Sequence, residues 1–131
     1  MTDLNQEGVR ELLSAPNHAV ISTINRDGSV HSTVVWIDHV DGVLAVNSAT
    51  GRRWPANLDR DPRLTVIVTD QQNPYRFAEI RGTAEGTLEG ALEHIHALAR
   101  KYTGAEFTGL TPGAQRKKFV ITPERVRYVN Q

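Results

Sequence analysis

Between two apolar, strand-like runs, Val43-Leu44-Ala45-Val46 and Leu64-Thr65-Val66-Ile67-Val68, lies the polar stretch Asn47-Ser48-Ala49-Thr50-Gly51-Arg52-Arg53-Trp54. It sets hydroxyls, a glycine and two adjacent arginines at the mouth of a predicted helix. Amide N–H groups left free at a helix start, side-chain hydroxyls and guanidinium forks all favour a phosphate or carboxylate over water. An anionic ligand is therefore the chemistry these residues suit. Ser-Ala-Thr-Gly is also an ordinary loop-and-cap sequence, and paired arginines commonly decorate a solvated surface, so the stretch alone leaves both readings open.

Other chemistries find less support. The chain has no cysteine, which excludes disulfides, thiolate catalysis and Cys-ligated zinc. The five histidines, His18, His31, His39, His94 and His96, form no metal-ligand spacing, and His94 and His96 fall on different faces of a predicted helix, so no metal is expected. Ser22, Ser32 and Ser48 lie in no Gly-x-Ser-x-Gly elbow, and no GxGxxG or Walker sequence occurs. Asp59, Asp61 and Asp70 read as helix-surface and loop carboxylates rather than an acid–base pair. No catalytic side chain is assigned.

The elements that must position the stretch follow from periodicity. Residues 5–14 carry Val9, Leu12 and Leu13 at helical spacing, and Pro16 closes that first helix. His18–Ile24 reads as a strand, Asn25–Ser29 as an Asp-Gly hairpin turn, Val30–Ile37 as the return strand, and Asp41-Gly42 as a second turn into Val43–Asn47. A short helix spans Trp54–Arg60, with Pro55 in its first turn and Pro62 stopping it. Leu64–Thr69 is apolar enough for a strand covered on both faces. Phe77–Thr87 alternates, with Ala78, Ile80, Gly82, Ala84 and Gly86 forming a small-residue face against which something packs closely. Leu88–Tyr102 returns to a helical period through Leu88, Leu92, Ile95, Ala99 and Tyr102, and Gly104 ends it. Arg116-Lys117-Lys118 lead into a last strand broken near Pro123.

Six or seven strands with tight turns and no βαβ alternation predict a mainly β fold, a small antiparallel barrel with helices outside it. A length of 131 residues fits one domain, residues 1–131. Lys plus Arg and Asp plus Glu each number 15, which removes the bulk electrostatic argument for a nucleic-acid or anionic-membrane partner. No apolar run approaches the ~20 residues that span a bilayer, and Met1–Asn5 lacks the basic and apolar regions of a secretory signal. The cytoplasm is the expected compartment.

The order of these elements, with Ser32-Thr33-Val34-Val35-Trp36-Ile37, Asn47-Ser48-Ala49-Thr50-Gly51-Arg52, Asn57-Leu58-Asp59-Arg60-Asp61-Pro62-Arg63 and Ala78-Glu79-Ile80-Arg81-Gly82-Thr83-Ala84, resembles the pyridoxamine 5'-phosphate oxidase-like split barrels. Within them it is most similar to the branch that uses the deazaflavin coenzyme F420. The resemblance covers nearly the whole chain. It implies a six-stranded antiparallel split β-barrel of the FMN-binding type, a homodimer with two flavin-type sites, and an oxidoreductase transferring a hydride between F420 and a small organic substrate. FMN is the alternative cofactor, and a non-catalytic flavin- or haem-binding protein the alternative function, because the family contains such members.

The resemblance also implies site residues. The ring would lie against the strand Ser32 to Trp36, including Val34. Ser48, Ala49, Thr50, Arg52 and Arg53 would hold the phosphate, with Asn57 close by. Tyr75, Arg76 and Phe77 of the second subunit would close the pocket. Trp54 stands where many relatives carry a basic residue, so either Arg53 supplies that charge or Trp54 stacks on the ligand.

Overall fold

The computed structural model describes residues 3–131. In chain order the elements are α1 (Glu7–Ser14), β1 (Ala19–Ile24), β2 (Val30–Val35), β3 (Ile37–Val40), β4 (Val43–Ala49), α2 (Arg53–Arg60), β5 (Arg63–Thr69), β6 (Arg76–Thr87), α3 (Ala91–Thr103) and β7 (Arg116–Asn130). The strands form one antiparallel sheet in the order β2-β1-β5-β6-β7-β4-β3, curled into a half-barrel. This is the mainly β split-barrel architecture expected from the sequence.

Both Asp-Gly turns form where the alternation breaks. Asp41 and Gly42 take φ of +52° and +78°, the two positive values that a tight hairpin turn requires. The curled sheet closes over Ile21, Ile37, Val46, Val66, Val68, Ile80 and Phe119, all buried. Helix α1 adds Val9, Leu12 and Leu13 to that core, and α2 adds Trp54 and Leu58.

Four features differ from the sequence expectation. The single strand Val30–Ile37 is two strands, which sit at opposite edges of the sheet with only Trp36 between them. Trp36 stacks on Tyr102 (ring centroids 5.4 Å apart) and meets Phe107 edge-on, so packing outside the strand fixes the bend. Strand β5 is covered on one face: Leu64, Val66 and Val68 are buried, while Thr65 and Ile67 are half-exposed, as period-2 alternation dictates at a sheet with one solvated side.

The last strand runs unbroken through Pro123. Arg81 pairs with Arg125 and Gly82 with Pro123, so Glu124 is the extra residue of a bulge, and the disrupted ladder beside it tolerates Pro123, which has no N–H. Helix α3 begins at Ala91, behind Gly90 in the left-handed region, and buries Ala91, His94, Ile95, Leu98 and Ala99. That later start turns Leu88 and Leu92 out to solvent.

The expected small-residue face of β6 does carry a close approach. A Cβ on Gly82 would lie 2.1 Å from the Thr122 carbonyl oxygen, a contact that only movement of the β7 backbone could relieve. Gly82→Ala is expected to lower stability by about 1–3 kcal/mol, the range for overpacking a fitted site, read as a lower urea midpoint. A midpoint equal to wild type would mean that the β6–β7 contact is looser than this geometry.

Candidate anion and cofactor cleft

An open cleft of about 500 Å³ lies where β2, β4, α2, α3 and the start of β7 converge. Strand β2 lines it with His31, Thr33, Val34 and Val35, and the bend with Trp36. Strand β4 supplies Asn47 and Ser48, and α2 supplies Arg53 and Trp54, with Arg52 at its N-cap. Ile95 and Leu98 of α3, Phe107 and Arg116 complete the lining. An apolar, aromatic interior with a few convergent polar groups suits a planar ring bearing an anionic arm.

The polar end has a distinct electrostatic character. The Arg116 guanidinium sits over the Phe107 ring, 5.0 Å from its centroid, and its Nε donates to Asn47 Oδ1 at 3.0 Å. Burial, and then the like charge of Arg52, hold the Arg116 pKa below the usual guanidinium value. Among the described residues, neither Arg52, Arg53 nor Arg116 has a carboxylate within salt-bridge distance (bridges are Arg63–Asp61, Arg76–Glu11, Arg76–Asp70, Arg81–Glu79, His94–Asp38, His96–Glu106, Arg100–Glu106, Lys117–Asp59 and Arg127–Glu79). Like charges brought together without a counter-ion disfavour the empty site, and an anion between them relieves the repulsion. The Arg52 side chain does not cap α2, and Pro55 has no N–H, so Arg53 and Trp54 supply the amides open at that helix mouth.

A second groove adjoins the first through Arg52 and Arg53. Asn25, Arg26, Asp27, Ser29, Gly51, Ala56, Asn57 and Arg60 line the rest of it. Arg60 and Asn57 are committed to the fold: Arg60 donates to the Ile24 carbonyl and to Asn57 Oδ1, and buried Asn57 donates to Thr23 and Asn25. Arg26, Arg52 and Arg53 outnumber the one carboxylate in this groove, Asp27, which senses Arg53, and leave it net positive.

Of the residues singled out in the sequence, the structure brings Val34, Trp36, Ser48, Arg52, Arg53 and Trp54 to the cleft. Others lie elsewhere. Ser32 projects to the sheet face opposite His31, Thr33 and Val35, its hydroxyl 2.8 Å from that of Ser22; exposed Val34 shares that outer face and borders the cleft at its rim. Ala49 is buried in β4 opposite Arg116, and Thr50 Oγ1 accepts the Gln115 N–H, so this hydroxyl pins the loop before β7. Asn57 lines the second groove as a buried support.

Tyr75 is exposed, and Arg76 donates to the Tyr128 hydroxyl and pairs with Asp70 and Glu11, away from this chain's own cleft. Trp54 is 5% exposed and packs on Phe119, centroids 5.2 Å apart, so its indole is mainly a floor of the core. Sequence reasoning missed Arg116, Asn47, Phe107 and His31. The basic triplet that opens β7 was the one signal for Arg116, and His31 is the one histidine in the cleft lining.

The fold and site can be set beside known proteins. The family described as pyridoxamine 5'-phosphate oxidase matches residues 6–130. Among curated proteins, none matches significantly. An F420 reductase of known structure superposes with a TM-score of 0.80 at 25% identity, covering 90% of this chain and 94% of its own. A conserved hypothetical protein from Mycobacterium tuberculosis gives 0.77 at 22% identity, covering 98% and 86%. General stress protein 26 from Bacillus anthracis gives 0.72 at 18% identity, covering 97% and 95%. The last two likenesses concern the fold alone. Among the described residues no helix is long and apolar enough to cross a membrane. With a family match running almost from end to end, this chain belongs to the pyridoxamine 5'-phosphate oxidase family, split-barrel proteins that bind flavin-type cofactors.

Proposed function

We propose that the protein is an oxidoreductase that binds the deazaflavin coenzyme F420 in this cleft and passes a hydride between it and a small organic substrate. The observation that carries the reading is the convergence of Arg52 and Arg116, with no carboxylate partner among the described residues, beside an aromatic and apolar pocket. What favours F420 over FMN is the second groove. FMN ends at its phosphate, whereas F420 continues into a tail of glutamate carboxylates, and Arg26, Arg52 and Arg53 extend the positive charge in that direction. The 25% identity to an F420 reductase supports the same choice.

When bound, the reduced coenzyme supplies a hydride from its C5 carbon. The chain's own part is to hold, orient and keep dry. Arg52, Arg53 and the open amides of α2 bind the anionic arm, Val34 to Trp36 set the plane of the ring, and Val35, Ile95 and Leu98 exclude water. His31 can give or take the accompanying proton. A second copy of the chain covers the exposed valines Val20, Val30 and Val34 and brings Tyr75, Arg76 and Phe77 over the open side.

Titration of the purified protein with F420 and with FMN is expected to give tighter binding of F420, and the reduced coenzyme should be oxidised by an activated alkene, imine or enone. Tighter binding of FMN would replace this reading with an FMN-dependent enzyme. Saturable F420 binding with no oxidation by any substrate of those classes would make the protein a coenzyme store.

A further inference from the structure

Behind the cleft a buried hydrogen-bonded chain crosses four elements. Asp38 of β3, His94 of α3 and Asn47 of β4 are each 8% exposed, and the chain ends on Arg116 of β7. Asp38 Oδ1 lies 3.0 Å from His94 Nε2, His94 Nδ1 lies 3.0 Å from Asn47 Nδ2, and Asn47 Oδ1 accepts from Arg116 Nε at 3.0 Å. Asn47 Nδ2 also donates to the Ala91 carbonyl at 2.9 Å.

These partners leave one consistent arrangement of protons. A guanidinium Nε–H only donates and a backbone carbonyl only accepts, so Asn47 must present its oxygen to Arg116 and its NH2 to Ala91 and His94. His94 Nδ1 must then accept, which puts the single imidazole proton on Nε2, where it is donated to Asp38. A second proton on Nδ1 would face the Asn47 NH2, donor against donor. Turning the amide to relieve that conflict would abandon both Arg116 and the Ala91 carbonyl.

We propose that Asp38, His94 and Asn47 form a positioning relay that aims Arg116 into the cleft, and that the relay holds only while His94 is neutral. Acid releases Arg116 and weakens anion binding. The charged and titratable groups around His94 bear on this differently. Asp38 draws the second proton toward the ring, whereas Lys101, which lies close enough to sense Asp38, and Arg116 oppose it. Tyr102 also senses Asp38 but stays neutral, since burial raises its pKa, and Glu93 sits on the exposed side of α3. Lys118 is paired with Asn47 across the β4–β7 register. Because Asp38 keeps its bond to Nε2 in either state, the bond that breaks is the one toward the cleft.

Nitrogen-15 NMR of the ligand-free protein tests the relay without reference to any cofactor. At neutral to basic pH the His94 proton is expected on Nε2 and the Arg116 Nε–H is expected to be protected. As His94 gains its second proton, exchange of that Nε–H should quicken at least about tenfold with the same midpoint. A proton on Nδ1, an Arg116 Nε–H indifferent to the His94 titration, or a His94 that never titrates before acid unfolding would each overturn the proposal.

A second arm rests on the cofactor reading and uses F420 as the probe. His94→Gln should weaken F420 binding about tenfold when residue 116 is arginine, and should not when it is lysine, which has no Nε. Equal losses in both backgrounds would reduce His94 to a structural support and overturn the relay. If wild type does not bind F420 while the NMR result holds, the cofactor reading fails and the relay stands.

Discussion

Arg52→Ala is expected to weaken binding of the phosphorylated cofactor by about 1.5–3 kcal/mol, a factor of ten to about a hundred, with little change in the stability of the ligand-free protein. The size is that of a charge-assisted hydrogen bond removed from a bound anion. The separation of binding from stability follows from the surroundings. Arg52 is exposed, has no carboxylate partner among the described residues, and opposes the charge on half-buried Arg116. Its removal therefore takes away a repulsion in the free protein and an attraction in the complex. Calorimetric titration and urea unfolding of the same sample read the two effects. An unchanged dissociation constant would remove Arg52 from the site, and a large drop in stability would mean that it supports the fold instead.

Trp54→Ala acts through the other term. The indole is buried against Phe119 and belongs to the same core as Leu58, Ile80 and Val66. Truncation should cost about 3–5 kcal/mol of stability, the range for a large aromatic lost from a core. A domain of this size has on the order of 5–15 kcal/mol in all, so the variant is expected to be partly unfolded at room temperature or to melt far below wild type. If Trp54 were chiefly a ligand-stacking residue, the variant would keep its melting temperature and lose affinity only. Circular dichroism melts without and with cofactor separate the two outcomes, and the account predicts the first.

What could be read from the sequence was whatever short-range chemistry decides. Asp41-Gly42 and Asp27-Gly28 placed the hairpins, since only positive φ closes such turns and those residues adopt it readily. Pro55 and Pro62 bounded α2, and alternation along β6 assigned its two faces correctly. The bend at Trp36 was not legible, because the apolar pattern runs through it and the cause lies in Tyr102 and Phe107, far along the chain. Pro123 suggested a break because a proline lacks the ladder N–H, but the glycine that makes room for a bulge stands on another strand.

The site divides in the same way. Ser48, Arg52 and Arg53 are contiguous with a helix start, so their convergence is a local property. Arg116 reaches them only through the pairing of β4 with β7, which sets it opposite Ala49. Asn47 looked like the last residue of a strand, and His94 like one histidine among five. Their connection depends on where α3 docks, which no local period specifies. Thr50 and Asn57 had suitable chemistry for a ligand, but each has a hydrogen-bond partner within the fold.

A crystal structure of the protein with oxidised F420 tests the central claim most directly. The account predicts the phosphate within hydrogen-bond distance of Arg52 and the ring against Val34 to Trp36, with the carboxylate tail running toward Arg26. A coenzyme bound elsewhere, or a cleft closed by the protein's own side chains while Arg52 and Arg116 face solvent, would contradict it.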